Sequence, residues 1–459
     1  MFLLGLAIGV HLLGILVIPA IGYVIYFRLK ETTTKGFFIT GILSILILGF
    51  IQEGIIPGTI SMASSFEITF VNSMGLPFYF GSIFFFALLV AFCIFGVRYA
   101  RQNNMHLLSN SLMGLVFLLI GYGSFAVIVI RSNANTPLDE NDPEELVTLH
   151  SYLKREQYGS APILNGPYWN SKEEGGEFEF EDRNGDGFMD TIWNRSANRN
   201  SWEDNSPYYL RRWVVSDEDQ DLNKFIEKKD AELWMGAQKN DNLMLTEKYF
   251  EMNQTFRKNI NPTYESDQST FFPRMYAPGK ESGYKFWSGY TNENTGLDGG
   301  KDKMRLPTFG ENLSYFYNYQ LNWMYFRYFM WNFAGRQNDI QGHGNSMNGN
   351  WISGIPFIDN ARLGDQSKAP FFTSENKANN KFYFIPLIFA LIGLLFHYLK
   401  APKDAFVLTL AFIFTGIAIV VYLNQKPFEP RERDYAYAGS FYFFAMWISF
   451  GVYAIIDLL

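Results

Sequence analysis

Cysteine and charged residues are both scarce in this chain of 459 residues. The single cysteine, Cys93, lies within an apolar run, so an intramolecular disulfide is excluded and the redox compartment cannot be read from cysteine usage. Charged residues make up 18% of the chain, a low fraction for a soluble protein. The net charge of -7 argues against a nucleic-acid partner, which would need a basic face.

Several catalytic motifs are also missing from the sequence. It contains no His-Glu-x-x-His, no Gly-x-Ser-x-Gly and no cluster of His and Cys with metal-ligand spacing. Residues 296–301 superficially match a phosphate-binding loop, but the spacing is one residue short and Asp302 replaces the Ser or Thr that should hold magnesium. These absences exclude the metalloprotease, serine-hydrolase and P-loop chemistries that such motifs serve.

The sequence does have two hydrophobic blocks on either side of a long polar middle. Seven apolar runs lie near 2–27, 37–56, 80–97, 108–130, 382–399, 405–423 and 441–457. Runs of about 18 or more apolar residues can cross a bilayer as helices, since lipid requires internally paired backbone groups. We therefore predict an α-helical integral membrane protein of about seven transmembrane helices, with a large α+β or irregular domain inserted between the fourth and fifth. The expected parts are a four-helix block at 1–131, a polar domain at 132–381 and a three-helix block at 382–459.

The short connections predict the orientation, because Lys and Arg remain on the cytoplasmic side. Basic residues follow the first, third and fifth runs, namely Arg28, Lys30, Lys35, Arg98, Arg101, Lys400 and Lys403. The alternate connection, 52–79, contains no Lys or Arg. We therefore expect a multi-pass protein of the bacterial inner membrane whose large domain faces the periplasm, or the lumen if the cell is eukaryotic.

The second run is the least regular of the seven. Gln52, Glu53, Pro57 and Gly58 interrupt its apolar pattern. The run is either a full span that ends early or a helix that leads into a re-entrant loop through 55–70. Glu53 is a polar site candidate because ionisable groups near hydrocarbon are costly. The alternative is a helix end whose carboxylate reaches the headgroups.

The strongest helix candidate of the polar domain covers 311–333 and ends before Gly335. It is dense in aromatic residues, so it either lies at the headgroup level or forms an ordinary buried core helix. Tyr and Trp faces also stack on sugar rings. The candidates for such aromatic contact are Trp323, Tyr325, Tyr328 and Trp331. A further helix is expected across 221–235.

An acidic loop has the spacing with which oxygen ligands wrap a calcium ion. The expected ligands are Asp182, Asn184, Asp186, the backbone carbonyl of Phe188, and Asp190. Gly187 stands at the sixth position, but the twelfth is Trp193, so the bidentate acid of an EF-hand is absent. The loop is either a structural calcium site of another kind or a solvated acidic turn. No organic cofactor is expected.

Two charged clusters stand where the chain meets the predicted membrane, and a third, polar cluster follows the aromatic helix. The first contains Arg131, Asn133, Asp139 and Glu140, the second Arg431, Glu432, Arg433 and Asp434, and the third Arg336, Asn338, Asp339 and His343. Alternating Arg and acidic residues could form ion pairs that lock these loops in place. Alternatively, Arg131, Arg431 or Arg433 binds a phosphate at headgroup depth, since the guanidinium fork matches phosphate oxygens.

Four segments carry a resemblance to a known family: HLLGILVIPAI (11–21), RSNANTPLDENDPEEL (131–146), YFRYFMWNFAGRQNDIQGHG (325–344) and EPRERDYAYAGSFYFFAMWISFGVYA (429–454). The chain resembles a polytopic membrane family of unknown function from bacterial envelopes, which is similar to animal membrane proteins that O-mannosylate receptor domains. The resemblance implies a GT-C glycosyltransferase. Such an enzyme transfers a mannose-like sugar from a polyprenyl-phosphate donor to a protein or envelope glycan, with inversion.

The acidic catalytic motif of that family, of the type Asp-x-Gly-Glu, has no counterpart in this sequence. Met1 opens directly into an apolar run and Leu459 closes one. We therefore expect an internal piece of a longer polypeptide whose general base lies upstream, and we assign no catalytic residue. A non-enzymatic envelope scaffold that binds a partner through its periplasmic domain is the alternative. A transporter is less favoured, since no internal repeat is present.

The predicted orientation can be tested by protease accessibility. Protease added to intact spheroplasts should remove the region 132–381 while cytosolic marker proteins stay intact, because only the trans side is reachable. Immunoblotting with antibodies against this region measures the outcome. If the region survives until the cells are lysed, the orientation is wrong.

Overall fold

Apolar helices form most of the described chain. A computed structural model describes residues 1–134, 136–137, 143–154, 161–171, 176–181, 190–195, 202–203, 209–217, 221–238, 242–251, 261–262, 264, 266–291 and 305–459. Within these ranges, six helices are long and apolar enough to cross a membrane, at Leu12–Leu29, Thr34–Met74, Phe80–Gln102, His106–Ser132, Pro402–Leu423 and Asp434–Leu458. Ile385–Lys400 is a shorter apolar helix. A mostly helical, multi-pass membrane chain is therefore confirmed, and the count of seven spans stays a prediction.

The helices are numbered in chain order. They are α1 (Phe2–Val10), α2 (Ile18–Leu29), α3 (Thr34–Met74), α4 (Phe80–Gln102), α5 (His106–Ser132), α6 (Leu146–Lys154), α7 (Lys228–Gln238), α8 (Glu281–Ser288), α9 (309–333), α10 (Pro356–Leu363), α11 (Phe371–Ser374), α12 (Ile385–Lys400), α13 (Pro402–Leu423) and α14 (Ala438–Leu458). Short 3-10 turns lie at Leu12–Val17, Gly123–Phe125, Ser266–Gln268, Gln366–Lys368 and Asp434–Tyr437.

The strands are short, and those whose register is described pair antiparallel. They are β1 (Asn165–Pro167), β2 (Gly176–Glu181), β3 (Asp190–Arg195), β4 (Trp202–Glu203), β5 (Tyr209–Ser216), β6 (Asp221–Phe225), β7 (Met244–Glu251), β8 (Asn261–Pro262), β9 (Ser269–Phe271), β10 (Gly335–Arg336) and β11 (Asn380–Lys381). Among these described strands, β6, β5 and β7 form a three-stranded sheet in that order, and the others pair in twos.

Helix α3 corrects the interpretation of the second apolar run. Neither an early end nor a re-entrant loop is present, because the helix continues for 41 residues to Met74. Proline lacks an N–H and its ring clashes with the carbonyl four residues earlier. A wide π-helical turn at Phe50–Ile55 directly precedes Pro57 and accommodates this defect. The helix ends at Gly75, whose φ of 67° is the left-handed conformation that glycine favours.

The first predicted run, 2–27, is likewise not one continuous helix. Helix α1 ends at His11, whose backbone is extended, and a 3-10 turn begins at Leu12. The imidazole Nδ1 accepts a hydrogen bond from the Leu13 N–H at 3.3 Å, so a local side-chain contact replaces a helical one. The break therefore falls at the one histidine of the run.

The described residues form two compact units. The first contains Met1–Ile15, Leu46–Ser160 and Trp202–Asn261. In this unit α1 packs on α5, α4 packs on α5 and on the later part of α3, and α6 and β7 also pack on α3. Two apolar clusters stabilise it, one around Val71, Phe78, Val147 and Tyr249 and the other around Val215, Ala231 and Leu243.

Part of the first unit differs from the sequence prediction. The prediction of a helix across 221–235 is wrong for its first part, because residues 221–225 form the strand β6. This strand pairs antiparallel with β5, with Trp213 opposite Phe225. Helix α7 begins only at Lys228. Tertiary pairing with β5 therefore overrides the local helical pattern.

The second unit contains Leu16–Ile45, Ala161–Ser201 and Pro262–Leu459. Here α12 packs on α14, and α13 packs on α2, α12 and α14. The predicted aromatic helix is confirmed as α9, with a π-helical stretch at Phe316–Phe326. Phe329 of α9 contacts Phe444 of α14 edge-on, and Phe412 of α13 contacts the same ring at a tilt, with ring centroids 4.7 and 5.5 Å apart. Aromatic contacts thus hold α9 against the membrane helices of its own unit.

The contact between α12 and α14 depends on two glycines, Gly393 of α12 and Gly451 of α14. The role of Gly451 can be tested by substitution. A Cβ atom at Gly451 would lie 2.0 Å from the Phe389 carbonyl oxygen, so Gly451→Ala forces the helices apart. We expect a loss of about 1–3 kcal/mol in the free energy of unfolding, measured by thermal unfolding in detergent. Gly49→Ala is the matched control, because nothing lies within 4 Å of its Cβ position. A Gly451→Ala variant as stable as the control would contradict this packing.

Candidate functional site

The site is built on helix α9, whose start is fixed by a capping box. The Thr308 hydroxyl accepts the Glu311 N–H at 3.2 Å, and the Glu311 carboxylate accepts the Thr308 N–H at 2.7 Å. Arg305 donates to the same carboxylate at 2.5 and 2.9 Å. These hydrogen bonds, the one from Arg305 above all, lower the pKa of Glu311 to about 2. The first turn of α9 is therefore held by charge as well as by caps.

Arg327 lies at the centre of the helix and of the site. Its side chain is 3% exposed, and its guanidinium carbon lies 4.1, 4.4 and 4.7 Å from the rings of Trp323, Tyr328 and Trp331. Trp323 and Trp331 stand four residues before and after it, so a helix places all three on one face. A guanidinium buried among aromatic rings needs a counter-charge.

Glu432, in the loop between α13 and α14, supplies that charge. Arg327 donates to the two carboxylate oxygens at 3.1 and 2.7 Å, a bidentate arrangement. The Tyr328 hydroxyl also donates to Glu432. Burial by itself would raise the pKa of Glu432, but the guanidinium and the hydroxyl outweigh it, and the pKa is lowered.

The neighbouring arginines of this loop differ in how much of their hydrogen-bonding capacity is used. Arg433 donates through Nη2 to Glu429 at 2.6 Å, and its backbone N–H donates to the Tyr328 hydroxyl at 3.1 Å. Arg431 is exposed and lies 5.8 Å from the Tyr435 ring, with neither an ion pair nor a hydrogen bond among the described residues. The expected ion pairs therefore form at Arg433, and Arg431 keeps an open guanidinium.

Arg336 is the second open guanidinium. Its carbon lies 3.8 Å above the Trp331 ring, and its Nε–H donates to the Asn338 carbonyl at 3.0 Å. No described residue accepts from its two Nη groups. Burial lowers the pKa of Arg336, partly offset by the nearby carboxylate of Asp434. A half-buried cation with unused donors on an aromatic face is suited to an anionic ligand.

The remaining members of the third cluster have other contacts. Asn338 is fully buried and bridges the loop, donating to the Met347 carbonyl and accepting from the Gly349 N–H. Asp339 is exposed and accepts from Asn376 at 2.8 Å. The exposed His343 ring stands edge-on to Phe428, with centroids 5.6 Å apart. These contacts place Asn338 in the framework of the loop rather than at its open surface.

Of the four aromatic candidates, three surround Arg327 and one does not. Tyr325 is buried on another face of α9, where its hydroxyl contacts the Ser440 hydroxyl at 2.8 Å. Residues 327–331 of the helix are all buried, which favours the core-helix alternative over a helix lying at the headgroups. In the described part of the chain, the indole N–H of Trp331 has no hydrogen-bond partner. The Nε–H of Arg433 has none there either.

Polar groups of α9 also fix the start of the loop after α13. Tyr315 and Gln320 donate to the Gln425 carbonyl at 2.9 and 2.7 Å. Tyr319 donates to the Lys426 carbonyl at 3.0 Å. The loop 424–433 is thereby positioned along α9, at the end of two candidate membrane spans.

The other predicted residues lie in the first unit or outside the described residues. Arg131 is exposed near the end of α5, and Asn133 caps that end by donating to the Val129 and Glu144 carbonyls. Glu53 is exposed on the π-helical turn of α3. Asp139, Glu140, Asp182, Asn184, Asp186 and Phe188 lie outside the described residues, and Asp190 begins β3. The calcium hypothesis stays a prediction.

A buried ionic cluster in the first unit was missed from the sequence. Glu67 of α3 accepts the Ser82 N–H and hydroxyl at 2.8 Å and the Tyr79 N–H, so it caps the start of α4. Glu145 pairs with Arg211 at 2.8 Å, yet burial dominates and raises the pKa of Glu145. The described residues contain no group of three or more His, Cys, Asp or Glu that could hold a metal ion.

Two family models match parts of the chain. Residues 1–35 match the model described as the protein O-mannosyl-transferase TMEM260 N-terminal domain. Residues 218–317 match a family of unknown function, DUF8416. Neither curated proteins nor solved structures gave a match to this chain. The resemblance to O-mannosyltransferases that the sequence suggested is therefore confirmed for residues 1–35.

Removing the Glu432 charge should destabilise the second unit. In Glu432→Gln the buried guanidinium of Arg327 loses its counter-charge, and we expect the free energy of unfolding to fall by about 3–5 kcal/mol. Because the folded pKa of Glu432 is lowered, its stabilisation is present above the unfolded value of about 4.3 and is lost as the pH falls through the folded value. Thermal unfolding between pH 7 and pH 3 measures both effects.

Glu281→Gln is the matched control. It removes a partner of the exposed Lys285–Glu281 pair, so a loss of at most about 1 kcal/mol is expected. Glu311 titrates in the wild type and in Glu432→Gln alike, so the difference between these two pH profiles isolates Glu432. Identical profiles would show that the pair contributes nothing to stability.

Proposed function

We propose that the chain is part of a membrane glycosyltransferase of GT-C type, which transfers a mannose-like sugar from a polyprenyl-phosphate donor to a protein or envelope glycan. The match of residues 1–35 to the N-terminal domain of an O-mannosyl-transferase carries this proposal. The matched segment contains α1, α2 and the start of α3. The enzyme would sit in the bacterial inner membrane with its site facing the periplasm, as the positions of the basic loops favour.

The open guanidinium groups would bind the donor. Arg431 and Arg336 each have unused N–H donors, and a guanidinium fork matches the oxygens of a phosphate. Arg433 and Arg327 are already paired with Glu429 and Glu432, so they would position the loop. The unpartnered indole N–H of Trp331 provides one more donor beside Arg336.

The chemistry of such a transfer sets what the site must do. The bond between the sugar C1 and the phosphate oxygen breaks, the acceptor hydroxyl oxygen bonds to C1, and the hydroxyl proton passes to a general base. Charge builds on the departing phosphate, and cationic donors beside it stabilise the transition state. The location of the open guanidinium groups at the end of α13 and α14 suits a phosphate at the membrane surface.

Donor binding should depend on Arg336 and Arg431. We expect Arg336→Gln and Arg431→Gln each to raise the KM for the lipid-linked donor about ten-fold or more, since a hydrogen bond to a charged group is lost. Transfer of radiolabelled mannose from polyprenyl-phosphate mannose, by the full-length polypeptide in native membranes, is the measurement. Thermal unfolding of each variant separates loss of binding from loss of fold.

Lys377→Gln is the matched control, because it removes an exposed cation of the second unit that has no ion pair or hydrogen bond with any described residue. It should leave the KM unchanged. Unchanged kinetics in the Arg336 and Arg431 variants would refute their role in donor binding. Absence of any sugar transfer by the wild-type polypeptide would refute the enzyme and favour the scaffold.

A further inference from the structure

The first unit contains a long apolar groove that the proposed transferase site does not use. Its volume is about 820 Å³, and α3, α4, α5 and α6 all contribute to its wall. The groove is apolar along most of its length, as Phe86, Val90 and Leu119 illustrate. The Tyr122 hydroxyl on the wall is already satisfied, since it donates to the Ile56 carbonyl at 3.0 Å. A hydrocarbon chain would therefore meet few unpaired polar groups there.

Arg98 and Arg101 are the charged residues among those that line the groove. They stand three residues apart at the end of α4, so both project from one side of the helix. Neither has an ion pair or a hydrogen bond within the part of the chain that the structure describes. The groove thus combines an apolar interior with two unneutralised cations at one end.

The length of the groove matches a lipid tail. Phe86 and Arg101 both line it, and at about 1.5 Å per residue they are about 22 Å apart along α4. One leaflet of the hydrocarbon core is about 15 Å thick. A chain that starts at the arginines can therefore pass through a whole leaflet inside the groove. Basic pockets between membrane helices bind anionic lipid headgroups.

We propose that this groove is a binding site for an anionic phospholipid, with the phosphate at Arg98 and Arg101 and one acyl chain along α4 and α5. Charge complementarity selects the occupant, because a zwitterionic lipid would leave the two guanidinium groups only partly neutralised. The site is independent of sugar transfer. Its failure and the failure of the proposed function are therefore distinguishable.

Native mass spectrometry of the full chain tests the proposal. The protein is purified in detergent and titrated with phosphatidylglycerol or with phosphatidylcholine of the same acyl chains. We expect one phosphatidylglycerol to bind preferentially, and the double variant R98Q/R101Q to bind it roughly 30-fold more weakly. Gly123→Leu should also weaken binding, because Gly123 lines the groove and its added side chain starts in open space.

Two matched controls should bind the lipid normally. Arg28→Gln removes a cation from the last turn of α2, and Gly49→Leu adds a side chain in open space on α3; neither residue lines the groove. Equal binding of the two phospholipids, or unchanged binding by R98Q/R101Q, would overturn the proposal. Displacement of the bound phosphatidylglycerol by inorganic phosphate alone would also overturn it. Tighter binding of a polyprenyl phosphate than of phosphatidylglycerol would reassign the groove to an isoprenoid lipid.

Discussion

The buried pair between Arg327 and Glu432 is the interaction on which the site in the second unit depends. A cation enclosed by Trp323, Tyr328 and Trp331 is tolerated only with a charged partner and filled hydrogen bonds. Its partner comes from the loop between two candidate membrane spans. The pairing therefore fixes this loop against α9, and the hydroxyl and amide groups of α9 that bind residues 425 and 426 extend the same attachment.

This attachment decides which guanidinium groups keep unused N–H donors. Glu429 neutralises Arg433 and Glu432 neutralises Arg327, so ion pairs within the chain hold the loop in place. Arg431 and Arg336 are left with open donors on the same set of segments. The two arginines of 431–434, which look equivalent in the sequence, thus differ in the structure: Arg433 is paired with Glu429, and Arg431 keeps unused donors.

Apolar run length and aromatic density predicted much of this molecule. The membrane helices and α9 follow from local pattern, and the second charged cluster was singled out from its alternating charges. Arg327 was missed because its partner, Glu432, is distant in the sequence, and a single arginine in an aromatic helix gives no signal without that partner. Its spacing of four residues from two tryptophans was the available signal. Pro57 misled the prediction of α3, because only the preceding π-helical turn shows how the helix continues.

Helix α3 is long compared with any bilayer. At about 1.5 Å per residue its 41 residues extend about 60 Å, whereas the hydrocarbon core is about 30 Å thick. A helix of this length tilts strongly, bends at its π-helical turn or extends beyond the lipid. Membrane thickness therefore sets the mismatch that this helix has to absorb, whereas its tilt depends on the segments packed on its later part, α4, α6 and β7.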